Sequence, residues 1–245
     1  MILERLPSSE EVARGTADAV ARAIDRRKDA RIVLPAGGTP VPVYAELVRR
    51  CQASELDLSA AHLVQLDELV GVPQDDPRSF CAFLRTHLLD RIERVQGRDH
   101  LLNGGFGHPK EEAARHAAAL ATLGGADLVL LGLGQNGHVA FNEPGSDVAE
   151  GARVVKLHDA TIDSIRSAFP DGSEPLDGLT LGLREIVAGR DLVMIVTGTS
   201  KAAILTRLLQ GTVDAACPAS LILSHPSLRI LADFQAAPDW VSETP

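Results

Sequence analysis

The chain has 245 residues, 45% of them hydrophobic and 23% charged, which suffices to bury a sizeable core and argues against disorder. Its 33 acidic residues outnumber 24 basic ones, a formal net charge of −9, so the dense positive footprint of a nucleic-acid binder is missing. No apolar run approaches the roughly 20 residues that span a bilayer, which excludes a helical membrane span.

Along the chain, Ala13, Ala17, Val20 and Ile24 recur at helical spacing and predict a helix from Ser9 to about Arg27. Ser8 or Ser9 can cap it, and Glu10 and Glu11 suit its first turn. Arg31–Leu34 reads as a short buried strand closed by Pro35 and a glycine pair, with a second helix expected from about Pro40 to Arg50. The alternation repeats with a strand at His62–Leu66, helices at Phe80–Ile92 and Glu111–Leu123, and an apolar strand at Leu128–Leu131. Beyond Gly132–Ser146 a strand at Arg153–Leu157 and a helix from Ala160 to Ala168 are predicted, then a surface loop at Pro170–Gly178. A strand at Leu192–Thr197, a helix at Lys201–Gln210 and a strand at Arg229–Ala232 complete the series.

Strands that alternate with helices and read as continuous apolar runs predict an α/β fold. The expected form is a single domain over 1–245, with a mostly parallel, twisted, Rossmann-like sheet covered by helices on both faces. The cysteines Cys51, Cys81 and Cys217 are odd in number and show no CxxC spacing. The acidic amino-terminal stretch lacks the longer apolar run of a secretory signal. A reduced, cytoplasmic protein with no membrane partner is expected.

Ligands of open α/β sheets gather beyond the carboxyl ends of the strands, and four loops lie there. Pro35-Ala36-Gly37-Gly38-Thr39-Pro40 joins a strand to a helix; its glycines allow backbone amides to approach an anion, or it is an ordinary turn. Asp67-Glu68-Leu69-Val70-Gly71 puts two carboxylates after a buried strand, as a general base or as a helix cap. In Gly132–Pro144, His138 and Glu143 can pair as a base and its orienter, or His138 is a satisfied structural histidine. Gly132, Gly134 and Gly137 spell GxGxxG, but Asn142-Glu143-Pro144 interrupts the helix that a dinucleotide fingerprint needs. Thr197-Gly198-Thr199-Ser200-Lys201 ends at a helix start with a lysine, a second phosphate clamp or a solvated side chain.

Together, LPAGGTPVPVY, LDELVGVPQDDPRSF, LGLGQNGHVAFNEPGS, TGTSKA and PASLILSHP resemble, in order, the motifs of the glucosamine-6-phosphate deaminase family, within the group that includes 6-phosphogluconolactonases. The similarity covers about Arg31 to Asp233. The resemblance implies that Asp67 moves a proton from C2 to C1 of an open-chain amino-sugar phosphate, yielding a 2-keto sugar phosphate and ammonia. It implies that His138 assists ring opening with Glu143 tuning it, and that Asn136 stands where many members carry Asp. Gly37, Gly38, Thr39, Gly137 and Lys201 would hold substrate and phosphate, with no metal or organic cofactor. The Phe141-Asn142-Glu143-Pro144 tail is deaminase-like, leaving a lactonase or a non-catalytic sugar-phosphate sensor as alternatives. The family's substrate-contacting arginine, expected directly before Phe169, is shifted or lost here, where the chain reads Arg166-Ser167-Ala168-Phe169.

Overall fold

The computed structural model describes residues 1–237; positions 238–245 of the expected domain lie outside the described residues. Seven strands form one parallel sheet: β1 (Ile2–Leu6), β2 (Arg31–Leu34), β3 (His62–Gln65), β5 (Asp99–His100), β6 (Leu128–Leu131), β9 (Asp191–Val196) and β10 (Leu228–Asp233). Their order is β1-β10-β9-β6-β2-β3-β5. Chain order runs outward from β2 through β3 to β5, then returns beside β2 at β6 and runs the other way. The β2–β6 junction is therefore the topological switch point, the place where α/β sheets open a crevice.

The predicted parallel sheet, helix-covered on both faces, is what forms. Alternate strand residues face opposite sides: Ile32, Leu34 and Leu63 join one core and Val33, Val64 and Leu66 the other. Helices α1 (Ser9–Arg26) and α2 (Val41–Gln52) cover the first face, and α6 (Leu183–Val187) and α7 (Ala202–Leu209) the second. The Ser8 hydroxyl caps α1 by accepting from Glu11 N.

Several expectations are corrected. Helix α3 (Phe80–His87) stops well short of Ile92: Leu88 leaves helical geometry at φ −139°, and the chain resumes as a 3-10 turn at Leu89–Arg91. Neighbouring side chains on a helix point about 100° apart, and this break lets Leu88 and Leu89 both reach the core. Helix α5 (Asp159–Ile165) likewise ends early, its last residues forming a 3-10 turn at Arg166–Ala168. Strand β7 (Arg153–Lys156) exists but belongs to a second, antiparallel sheet, β4-β8-β7, with β4 (Asp67–Leu69) and β8 (Asp177–Thr180). So Asp67-Glu68-Leu69 is strand rather than loop, and β8 begins inside the segment read as loop.

Leu66 joins the two sheets: its amide donates to Leu34 O of the large sheet, and its carbonyl accepts from Leu181 N after β8. The chain thus leaves β3 and enters β4 within one residue. That sharp transfer sets Asp67 at the carboxyl end of β3, facing the switch-point crevice.

Candidate active site

A cavity of about 270 Å³ occupies that crevice. Its lining includes Gly37, Gly38, Thr39, Asp67, Gly132, Gly134, His138 and Lys201, side by side with Phe80, Phe141, Thr161, Ser164 and Ile165. Sequence positions more than 160 apart thereby share one space. Asn136, Gly137 and Glu143 do not line it and stand behind His138.

The phosphate-type loop leaves β2 through Gly37, whose φ of +112° lies in the region that favours glycine. Nothing lies within 4 Å of where a Cβ of Gly37 or Gly38 would be, so the backbone is open to a ligand. Helix α2 follows at once; Val41 N donates to Gly38 O and Pro42 has no N–H, so it is the positive end of the helix dipole that favours an anion at the cavity edge. Beneath the loop the buried Tyr44 hydroxyl donates to the Pro35 carbonyl, anchoring it. Lys201, at the end of the 3-10 turn Thr199–Lys201, is half-buried and makes no ion pair among the described residues. Burial pushes its ammonium below the usual lysine range. The Asp233 carboxylate fixes the preceding turn by accepting from Gly198 N at 3.0 and 3.1 Å.

The two adjacent carboxylates have opposite surroundings. Glu68 is fully buried, and its oxygens accept from Leu69 N, Phe80 N, Gln65 Nε2 and Cys81 N at 2.8–2.9 Å. Burial pushes its carboxyl up, and these four donors oppose the rise. It caps α3 and closes the turn after β4. Asp67 is 7% exposed, and its Oδ1 has no hydrogen-bond partner. Burial, with the neighbouring Glu68 charge added, pushes its carboxyl up to about 8. A carboxylate so poorly solvated is a strong base once ionised. Glu68→Gln is expected to cost about 2–4 kcal/mol, because an amide turns N–H groups towards buried donors; urea unfolding would measure it, and an unchanged midpoint would refute the capping role.

The glycine pattern around His138 acquires a local reason. A Cβ on Gly134 would lie 2.4 Å from Cδ2 and Nε2 of the His138 ring, so the ring rests directly on that glycine. Gly137 has φ +87°, and a Cβ there would meet Cys217 Sγ at 2.6 Å. Its carbonyl accepts from Ala219 N, tying the loop to the 3-10 turn Pro218–Ile222 within PASLILSHP. Gly137 therefore shapes the loop rather than contacting the cavity. The Asn142 amide is buried and donates to Val139 O and Leu181 O, while its oxygen accepts from Arg153. Ala140 is held at φ +52°, a strained value for a residue with a Cβ.

His138 Nδ1 lies 3.1 Å from Thr161 Oγ1 and 3.5 Å from Glu143 Oε2. Glu143 also accepts from Asn136 Nδ2 at 2.9 Å and from His158 N at 3.3 Å. Burial alone would raise the Glu143 carboxyl, but hydrogen bonds from His138, Thr161 and Asn136 hold it at about 2. The arrangement can bind an anion at one end, move protons at the other, and exclude water with an apolar wall. Arg166 is outside the cavity: it is exposed and paired with Asp163 and Glu174. Thr161 and Ser164 had no distinguishing sequence signal, since their inward orientation depends on how α5 docks, whereas Phe80 closes the LDELVGVPQDDPRSF motif.

Comparison with known proteins agrees in both sequence and fold. Residues 7–230 match the family model described as glucosamine-6-phosphate isomerases/6-phosphogluconolactonase. The chain is 34% identical to a glucosamine-6-phosphate deaminase of Bacillus velezensis, covering 93% of this chain and 95% of the relative. It is 36% identical to one of Rhodopirellula baltica, covering 96% and 94%. A solved monomeric glucosamine-6-phosphate deaminase superposes with a TM-score of 0.94 at 31% identity, covering 97% of this chain and 99% of that one. The 6-phosphogluconolactonase of Trypanosoma cruzi shares the fold, with a TM-score of 0.79 at 19% identity over 98% and 97%.

Proposed function

From the premise that this chain belongs to the glucosamine-6-phosphate isomerase/6-phosphogluconolactonase family, we propose that it converts glucosamine 6-phosphate and water to fructose 6-phosphate and ammonia. The observation that carries the reading is Asp67: a buried carboxylate with a free oxygen, in the same cavity as an anion-binding loop and a histidine. An anchored phosphate on Gly37, Gly38, Thr39 and Lys201 would hold the far end of the sugar. That remote binding energy brings C1 and C2 to a fixed carboxylate and raises the effective molarity of the base.

In this reading His138 moves the proton that opens the pyranose ring. Asp67 then takes the proton from C2 of the linear aldehyde while an ammonium proton of the substrate passes to O1, leaving an enolamine, and Asp67 returns its proton to C1. The resulting 2-imine adds water and expels ammonia, which gives the 2-ketose. Glu143, with Asn136 bonded to it, orients His138 from behind, and Gly137 holds the loop. No step calls for a metal or organic cofactor. Residues 1–245 are read as one catalytic domain. No helix among the described residues is long and apolar enough to cross a membrane. The three unpaired thiols and a phosphorylated metabolite fit a cytoplasmic setting.

The experiment is an ammonia-release assay with glucosamine, galactosamine and mannosamine 6-phosphates, run beside hydrolysis of 6-phosphogluconolactone. Ammonia from glucosamine 6-phosphate supports the proposal; lactone hydrolysis alone, or tight sugar-phosphate binding without turnover, would replace it. Lys201→Ala is expected to raise KM roughly 10- to 100-fold with a smaller change in kcat, since a charge on a non-reacting phosphate acts mainly on binding. An unchanged KM would remove Lys201 from the clamp.

A further inference from the structure

Threonines in helices often return their hydroxyl to the carbonyl one turn back, and two in this chain do so, the buried Thr16 to Val12 O and the exposed Thr122 to Ala118 O, both at 2.8 Å. Thr161 of α5 is 2% exposed, yet its hydroxyl reaches across to His138 Nδ1 at 3.1 Å. The Glu143 carboxylate, the nearest charge to that nitrogen, is farther away at 3.5 Å. It is also shared, since Oε2 accepts from Asn136 and Oε1 from His158 N. With a neutral amide at position 136, no second carboxylate among the described residues pairs with the ring.

Proton counting then fixes the direction of the bonds. An ionised carboxylate only accepts, and a threonine hydroxyl has one proton to give. Glu143 Oε2, ionised and 3.5 Å from Nδ1, would repel a lone pair there and attracts an N–H, so the proton sits on His138 Nδ1 and the Thr161 oxygen accepts from it at 3.1 Å. The opposite nitrogen, Nε2, then carries a lone pair on the ring edge that rests against Gly134 in the cavity wall.

We propose that Thr161 is a positioning residue whose hydroxyl oxygen accepts from His138 Nδ1–H beside Glu143, fixing the tautomer in which Nε2 is the free base. Because Thr161 rides on α5, whose Ser164 and Ile165 also line the cavity, the tautomer is correct only when that helix is docked. The kinetic consequence rests on the deaminase reading; the tautomer does not.

The test is a two-bond proton–nitrogen NMR spectrum of the ¹⁵N-labelled protein, with the His138 ring assigned by its loss in His138→Gln, alongside steady-state ammonia release. Wild type and Thr161→Ser are expected to show the Nδ1–H form, and Thr161→Val a shift towards Nε2–H. Thr161→Val should lower kcat about 10- to 100-fold, the scale of one charge-assisted hydrogen bond, with KM within about threefold, and Thr161→Ser should restore most of it. A merely structural threonine would lower stability without moving the tautomer. Nε2–H in wild type, or an unaltered tautomer in Thr161→Val, overturns the proposal. If Thr161→Val does not fold, the wild-type and Thr161→Ser spectra decide alone. If wild type releases no ammonia from glucosamine 6-phosphate, the deaminase reading fails while the spectra still judge the Thr161–His138 contact.

Discussion

Asp67→Asn is expected to lower ammonia release by roughly 10²- to 10⁴-fold, the range for loss of a positioned acid–base group, while leaving sugar-phosphate binding largely intact. The substitution keeps shape and removes only the ability to ionise. Its effect on stability should go the other way. The Asp67 carboxyl is pushed up to about 8 by burial and by the Glu68 charge, against about 3.9 in an unfolded chain. A raised acid is stabilising where it is protonated, so its contribution is fully present below about pH 4 and is lost as pH rises through about 8. The slope is at most about 1.4 kcal/mol per pH unit in that window. Asp67→Asn cannot ionise and should flatten this decline, so the variant gains stability relative to wild type most clearly above pH 8. The acid limb of kcat/KM in wild type should fall near the same pH. Near-normal ammonia release from the variant would take Asp67 out of the mechanism, and a pH-stability profile identical to wild type would contradict its buried, protonated state.

Gly134→Ala is expected to be the other severe change, with a different signature. The new methyl would sit 2.4 Å from two atoms of the His138 ring, well inside van der Waals contact. The ring is the end of a side chain and can swing away, so the fold should tolerate the change within about 1–3 kcal/mol. Its place over Gly134, and with it the contacts to Thr161 and Glu143, cannot survive. Turnover should drop about 100-fold or more, as for removal of a general acid–base group. Binding of a sugar phosphate to the Gly37–Lys201 end should persist, measurable by calorimetry with a non-reacting substrate analogue. Normal turnover would show that His138 does not act from its place on Gly134.

Strands β2, β3, β6, β9 and β10 of the parallel sheet were legible because they are short, largely apolar runs, whereas β1 and β5 were not. What escaped reading depends on distant partners. Strand β1 carries Glu4 and Arg5 and exists through its parallel pairing to β10, supported by the Glu4–Arg229 ion pair. Strand β8 holds Asp177 and Gly178, poor strand formers; Gly178 is required because a Cβ there would meet the Phe141 ring at 2.4 Å. The candidate site was legible as four loops at strand ends, and the cavity does gather Gly37, Gly38, Thr39, Asp67, His138 and Lys201. The choice between base and cap for two neighbouring carboxylates was open in the sequence. Burial and donor placement divide the two, with Glu68 capping α3 and Asp67 left unpaired. Thr161 was invisible because a hydroxyl on an inward helix face has no pattern of its own.

The most direct measurement is a crystal structure of the protein with an open-chain glucosamine 6-phosphate analogue in which the C1 aldehyde is reduced to an alcohol. The expected complex has the phosphate on the Gly37–Thr39 amides and Lys201, and an Asp67 oxygen about 3–3.5 Å from C1 and C2, the separation of a near-attack geometry. An analogue bound with its phosphate elsewhere, or with Asp67 turned away from both carbons, would contradict proton transfer by this residue.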